Sequence, residues 1–137
     1  MRTLGLDIGE KRIGLALSDE QGMLATPYAT IARGNGKAER EILSLVKRHG
    51  IKTIVVGIPL GENGEKGDFA IEIENFCRRL KRRCAADFRF IDESFSTIDA
   101  LSRLQESGKN EGMSRKKGLI DAASASIILQ RYLESRE

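Results

Sequence analysis

The sequence predicts an α/β domain: a mixed five-stranded sheet, three antiparallel strands and then parallel ones, flanked by helices. Three observations predict it. Residues 4–19, LGLDIGEKRIGLALSD, alternate apolar with small or polar residues on either side of a charged turn, the pattern of a β-hairpin. Residues 52–58, KTIVVGI, form a continuous run rich in β-branched residues, as in a parallel strand buried on both faces. After the hairpin, stretches of helical spacing alternate with strand-like runs, as in chains that wind helices over a sheet.

The hairpin carries the first anomaly. The two-residue period of a strand puts Leu4, Leu6 and Ile8 on one face and Thr3, Gly5, Asp7 and Gly9 on the other. A strand interior disfavours both Asp and Gly. Asp7 therefore needs a reason beyond the fold, and its flanking glycines are expected to keep that face open to ions and to a nucleic-acid backbone. A third strand follows over 23–31, where Pro27 has no N–H for a ladder and belongs at an edge or a bulge. The spacing predicts a helix from Lys37 to His49, with Ile42, Leu45 and Val46 inward and Gly50 as its stop. His49, the one histidine, sits with Lys47 and Arg48 in the last turn, where positive charge complements the helix dipole.

The run at 52–58 ends in a loop, 59–67, rich in Gly with one Pro, placed where α/β proteins build sites. Asp68 is positioned to cap the next helix, whose inner stripe is Phe69, Ile73, Phe76 and Leu80. A short strand, Phe88 to Ile91, closes with Asp92 and Glu93. Ser96 and Asp99 have capping-box spacing at the start of a further helix, with Ile98, Leu101 and Leu104 inward and Gly108 at its end. After the loop 108–113, the last helix runs from about Ser114 to Leu133. Its Ala122-Ala123-Ser124-Ala125-Ser126 is uniformly small, which suits close packing on a sheet.

The chain has 137 residues, 40% of them hydrophobic and 31% charged, which suits one soluble domain spanning 1–137. No apolar run is long enough to cross a bilayer, and residues 1–20 lack the signal-peptide pattern, so a cytoplasmic protein without membrane contact is expected. The two cysteines, Cys77 and Cys84, lack metal-site spacing, and read as buried or half-buried thiols on one helix. The net charge of +3 is mild, but basic residues cluster at Lys11-Arg12, at 78–83 and at 115–117. The cluster at 78–83 fits equally a phosphate footprint and a helix terminus that complements its dipole; 115–117, beside a glycine-containing loop, favours phosphate.

Asp7, Glu93 and Asp121 are acidic residues where propensity does not want them. Each alone has an ordinary explanation: a strand end for Glu93, a helix start for Asp121. Together they suggest a divalent cation, because buried carboxylates without a partner are costly and hard oxygen donors suit magnesium or manganese. Such ions activate water and stabilise the leaving oxygen in phosphodiester cleavage. The first hairpin taken alone also fits the phosphate-binding hairpin of the sugar kinase, actin and heat-shock ATPase group. A chain of this length has room for one lobe of such an ATPase and not for two.

Motifs along the whole chain resemble a known family. Asp7 to Asp19, DIGEKRIGLALSD, resembles the DxGxKRIGxAxSD signature of the bacterial YqgF (RuvX) proteins. Val56-Gly57-Ile58-Pro59-Leu60 with Gly64, Asp92-Glu93 with Ser96-Thr97, and Lys117 to Ala123 with Ile127 and Leu129 resemble that family's later motifs in order and spacing. The resemblance implies a ribonuclease H-like fold related to the Holliday-junction resolvase RuvC. It implies a metal-dependent nuclease that matures the 5′ end of 16S ribosomal RNA during ribosome biogenesis, a family also labelled Holliday-junction resolvases.

Carried over by position, the catalytic and metal-binding carboxylates are Asp7, Glu93 and Asp121, with Mg2+ or Mn2+ as cofactor. Lys11, Arg12 and Lys117 are the residues expected to contact substrate phosphates. The expected partner is nucleic acid, either precursor rRNA, with the ribosomal small-subunit precursor, or branched DNA, and the alternatives are a monomer and a homodimer. One position departs from the family: Ser94 stands where an Arg usually follows Asp-Glu. That departure keeps a rival of another class in play, a nucleic-acid-binding module without catalysis.

Overall fold

The structure, a computed structural model, describes residues 2–61, 63–93 and 113–136, with side chains from residue 120 onward in the last stretch. The hairpin is β1 (Leu4–Ile8) and β2 (Arg12–Ser18), followed by β3 (Ala25–Ala32). Then come α1 (Lys37–His49), β4 (Thr53–Ile58), α2 (Asp68–Lys81), β5 (Asp87–Asp92) and a long closing helix, α3 (Met113–Ser135). The strands form one sheet in the order β3-β2-β1-β4-β5. β1, β2 and β3 pair antiparallel, while β4 pairs parallel with both β1 and β5. This is the expected mixed sheet.

The two faces of the sheet bury different residues, as strand periodicity requires. Leu4, Leu6, Ile8, Ile13, Leu15, Ile54 and Val56 pack with Ile42 and Leu45 of α1 and Ile73, Phe76 and Leu80 of α2. On the other face Ala16 and Val55 lie under Ala125, Ile128, Leu129 and Leu133 of α3. The first is the large core, and each of its fully buried Leu, Ile or Phe side chains is worth about 1.5–3 kcal/mol. The second is a smaller cluster, on the face of β1 to which Asp7 belongs.

The glycines of the hairpin correct an expectation. They do not hold the face open; they seat α3. A Cβ on Gly14 would fall 2.0 Å from the Asp121 carbonyl oxygen, and one on Gly5 would fall 2.8 Å from Leu129 Cβ. The small residues of α3 and these bare strand positions are two halves of one close contact.

Several local expectations hold with a physical reason attached. Pro27 lies on the edge strand, at the register shift opposite Leu15 and Ala16, where no ladder N–H is lost. Gly50 ends α1 in the left-handed conformation, with φ 60°, and its N–H bonds to Val46 O. Two details differ. Asp68 is the first residue of α2 and not its cap; Gly67 holds that place with no side-chain hydrogen bond, so Asp68 serves the helix dipole. Cys77 is buried on α2, but Cys84 lies beyond the helix, half-buried against the same core. The helix expected from Ser96, the loop 108–113 and Ser94 lie outside the described residues.

Candidate active site

Asp7 sits on β1, the central strand, directly across from Gly14 of β2. Because Gly14 has no side chain, the backbone of α3 rests on the sheet at Asp121. That contact brings Asp121 toward Asp7. Asp121 lies more than two turns into α3, beyond reach of the helix-start charge that would otherwise explain an acid there.

Glu93 arrives from the other side. It follows β5 directly, and its N–H donates to Ile58 O at 3.1 Å, which extends the β4–β5 ladder by one rung. To reach β1 its side chain must cross β4. It crosses at Gly57, where a Cβ would lie 3.1 Å from both Glu93 Cβ and Oε2 and 2.4 Å from Ile128 Cδ1. The glycine in the buried run is thus the gap through which Glu93 meets Asp7. A glycine among β-branched residues is the one sequence signal that could have marked this passage.

Asp7 and Glu93 are hydrogen-bonded to each other. Burial is the main reason that both carboxyls are raised. For Asp7 the Glu93 hydrogen bond works against burial, and the charge of Asp121 adds to it. Glu93 is pushed up to about 9, by burial and then by the hydrogen bond to Asp7 and the charges of Asp7 and Asp92. The pair as a whole therefore favours holding a proton between its two carboxyls, which relieves their repulsion.

Asp121 is held differently. Arg12 Nε donates to Asp121 Oδ2 at 2.7 Å, with the two side chains 39% and 23% exposed. Arg12 starts β2 at the end of the hairpin turn, which Gly9 N–H closes on Arg12 O at 2.8 Å. Lys11 is exposed on the same turn. Lys117 lies on α3 four residues before Asp121, and its side chain is outside the described residues.

Arg33 is a residue that no sequence signal marks. Its Nη1 donates to Gly9 O at 2.8 Å and pairs with Glu72 at 3.3 Å, and its guanidinium stands 5.2 Å from the centre of the Phe76 ring. It ties the hairpin turn to α2. The basic run 78–83 is at the far end of the sheet, at the last turn of α2, before β5 rather than after it. Arg79 lies over Phe76 there and Arg78 bonds Asn75, so this cluster serves its helix end and does not face the carboxylates.

Does this donor set fit a divalent cation? Among the described residues no three His, Cys, Asp or Glu side chains stand close enough together, as placed, to hold one. Asp7 and Glu93 are hydrogen-bonded to each other, and the Arg12 guanidinium pairs with Asp121. The chemistry fits, since all the donors are hard oxygens and a cation relieves the repulsion among them. One more donor is without work. Ser124 Oγ is buried and has no hydrogen-bond partner among the described residues, one helical turn past Asp121 on the stripe that continues to Ile128.

Known proteins resemble this chain over most of its length. A family model described as RuvX, Holliday junction resolvase, matches residues 1–135. A protein of Leifsonia xyli subsp. xyli named "Putative pre-16S rRNA nuclease" is 41% identical over 133 residues, covering 96% of this chain and 84% of its own. A protein of the same name from Fusobacterium nucleatum subsp. nucleatum is 36% identical over 137 residues, covering 99% of each. Among solved structures, Thermus thermophilus RuvC in complex with a Holliday junction substrate aligns with TM-score 0.60 at 13% identity, over 99% of this chain and 96% of that one. The Fowlpox virus resolvase in complex with Holliday junction DNA aligns with TM-score 0.59 at 18% identity, over 98% of each. At those identities the likeness is one of fold, and the fold is RuvC-like, of the ribonuclease H kind.

Proposed function

The chain belongs to the RuvX family, and from that premise we propose that it is a metal-dependent endonuclease whose carboxylates Asp7, Glu93 and Asp121 hold Mg2+ or Mn2+. Its substrate is the precursor of 16S rRNA, cut at the 5′ end, as the names of its relatives suggest. The observation that carries this reading is the approach of three acids from β1, the end of β5 and α3 at one end of the sheet, with Asp7 and Glu93 hydrogen-bonded to each other. Part-buried acids brought toward one another repel, and something positive relieves that repulsion.

When bound, the cation supplies Lewis-acid activation of water and neutralises charge at the leaving oxygen. The protein's own residues do the rest. Asp7 and Glu93 would hold the cation once the proton between them is released to solvent. Gly57 and Gly14 let β4 and α3 bring the acids within reach of one another. Lys11, Arg12 and Lys117 hold substrate phosphates, which position the backbone and carry no base information. No helix of the described residues is long and apolar enough to cross a membrane, and the protein works in the cytoplasm on structured nucleic acid.

A second substrate, the four-way DNA junction, is favoured by the family description and by the junction-bound structures of the same fold. The test is direct. Purified protein with Mn2+ should cleave a precursor-16S fragment, and Asp7→Asn should lose cleavage while still binding it. The same assay on a four-way junction separates the two substrates. Binding without cleavage of either substrate, in wild type and Asp7→Asn alike, identifies a non-catalytic module instead.

A further inference from the structure

The sequence marks Arg12 as a phosphate contact, yet its guanidinium is spent on Asp121. Nearby, Arg33 holds Gly9 and Glu72, Lys66 holds Glu74, and Lys11 is exposed on the hairpin turn. Arg12 differs from them in its partner, the Asp121 carboxylate. Its backbone is fixed by the Gly9 turn and by pairing with Ala32, while its side chain is more than one-third exposed at the rim. A part-exposed ion pair is weak, worth about 1 kcal/mol or less, so a multivalent competitor displaces it easily. A released guanidinium at that rim has the planar fork that phosphate prefers.

We infer that Arg12 is an exchangeable counter-ion, which leaves Asp121 for a substrate phosphate when a divalent cation takes that carboxylate. This rests on the reading of Asp7, Glu93 and Asp121 as cation ligands. Its consequence is coupling: the cation frees the arginine for the phosphodiester, the phosphodiester frees the carboxylate for the cation, and each tightens the other through one side chain.

Three measurements test it. First, Mn2+ binding followed by electron paramagnetic resonance should be about fivefold tighter in Arg12→Gln than in wild type without nucleic acid. Second, the Arg12 Nε–H resonance of 15N-labelled protein, assigned by its absence in Arg12→Lys, should be protected from exchange in EDTA and lose that protection at saturating Mg2+. Third, Arg12→Gln should weaken affinity for a phosphorothioate four-way junction severalfold more in Mg2+ than in EDTA, with a salt slope in Mg2+ smaller by about one.

An Arg12 resonance unmoved by Mg2+, or an equal loss of junction binding with and without Mg2+, overturns the exchange. If Mn2+ binds but Asp7→Asn binds it as tightly as wild type, the carboxylate reading itself fails and the exchange with it. If Asp7→Asn abolishes Mn2+ binding while Arg12→Gln changes nothing, the site stands and only the exchange falls.

Discussion

Glu93 meets Asp7 because Gly57, on the strand between them, has no side chain. One absent methyl group therefore connects the fold to the site. Gly57→Ala puts a Cβ 2.4 Å from Ile128 Cδ1, which is the end of a flexible side chain, and 3.1 Å from Glu93. The protein should fold, destabilised by about 1–3 kcal/mol in urea titrations, and should cleave far more slowly because Glu93 is displaced. Wild-type activity in this variant removes Gly57 from the site.

Gly14→Ala should be much worse. Its Cβ meets backbone, the Asp121 carbonyl, which has no rotamer to yield. Loss of more than about 3 kcal/mol, or failure to recover soluble protein, is expected. Gly67→Ala is the control: among the described residues nothing lies within 4 Å of its Cβ, and its φ is −77°, so urea midpoints should match wild type to within about 0.5 kcal/mol.

Stability of the metal-free protein should fall as pH rises. Glu93 is raised from 4.5 to about 9 on folding, so between those values the folded state holds more protons than the unfolded one. Unfolding free energy then declines across that window, since the stability that the protonated Glu93 provides is lost as pH climbs toward its folded pKa. Urea midpoints in EDTA from pH 5 to 9 should show the decline, Glu93→Gln should flatten it, and saturating Mg2+ should reverse it by binding the ionised pair.

Asp7→Asn should separate stability from catalysis. It removes one charge from the buried pair, so in EDTA at pH 8 the melting temperature should rise by about 3–5 °C, even as cleavage is lost. A melting temperature that falls instead means that Asp7 is a structural residue whose charge the fold needs.

Cys77 should be inert while the protein is folded. Burial pushes its thiol up to about 12, with the Glu74 charge adding to the shift. Iodoacetamide at pH 8, followed by peptide mapping, should label the half-buried Cys84 first and Cys77 only in denaturant.

Much of this molecule is legible in the sequence, and the reason is periodicity. The alternation of Leu4, Leu6 and Ile8 is enough to place Asp7 on the opposite face of its strand. The spacing of Ile42 and Leu45, with Gly50 after them, predicts α1 with its observed bounds. Asp7, Glu93 and Asp121 stand out because local propensity disfavours acids at all three places, and functional sites are where such conflicts arise.

What the sequence by itself determined, then, is whatever the periods of 2.0 and 3.6 residues record: element types, their buried faces, the mixed sheet, and three acids out of place. Only the tertiary structure decided what those elements touch. It turned the hairpin glycines from an open face into the seat of α3, made Gly57 the passage for Glu93, gave Asp121 to Arg12, and set Arg33 against the hairpin turn. The physical reason is that close approach depends on which bare positions face each other across elements far apart in the chain. No local window contains both partners, so a missing Cβ or a shared proton has no meaning until the fold brings its counterpart within a few ångströms.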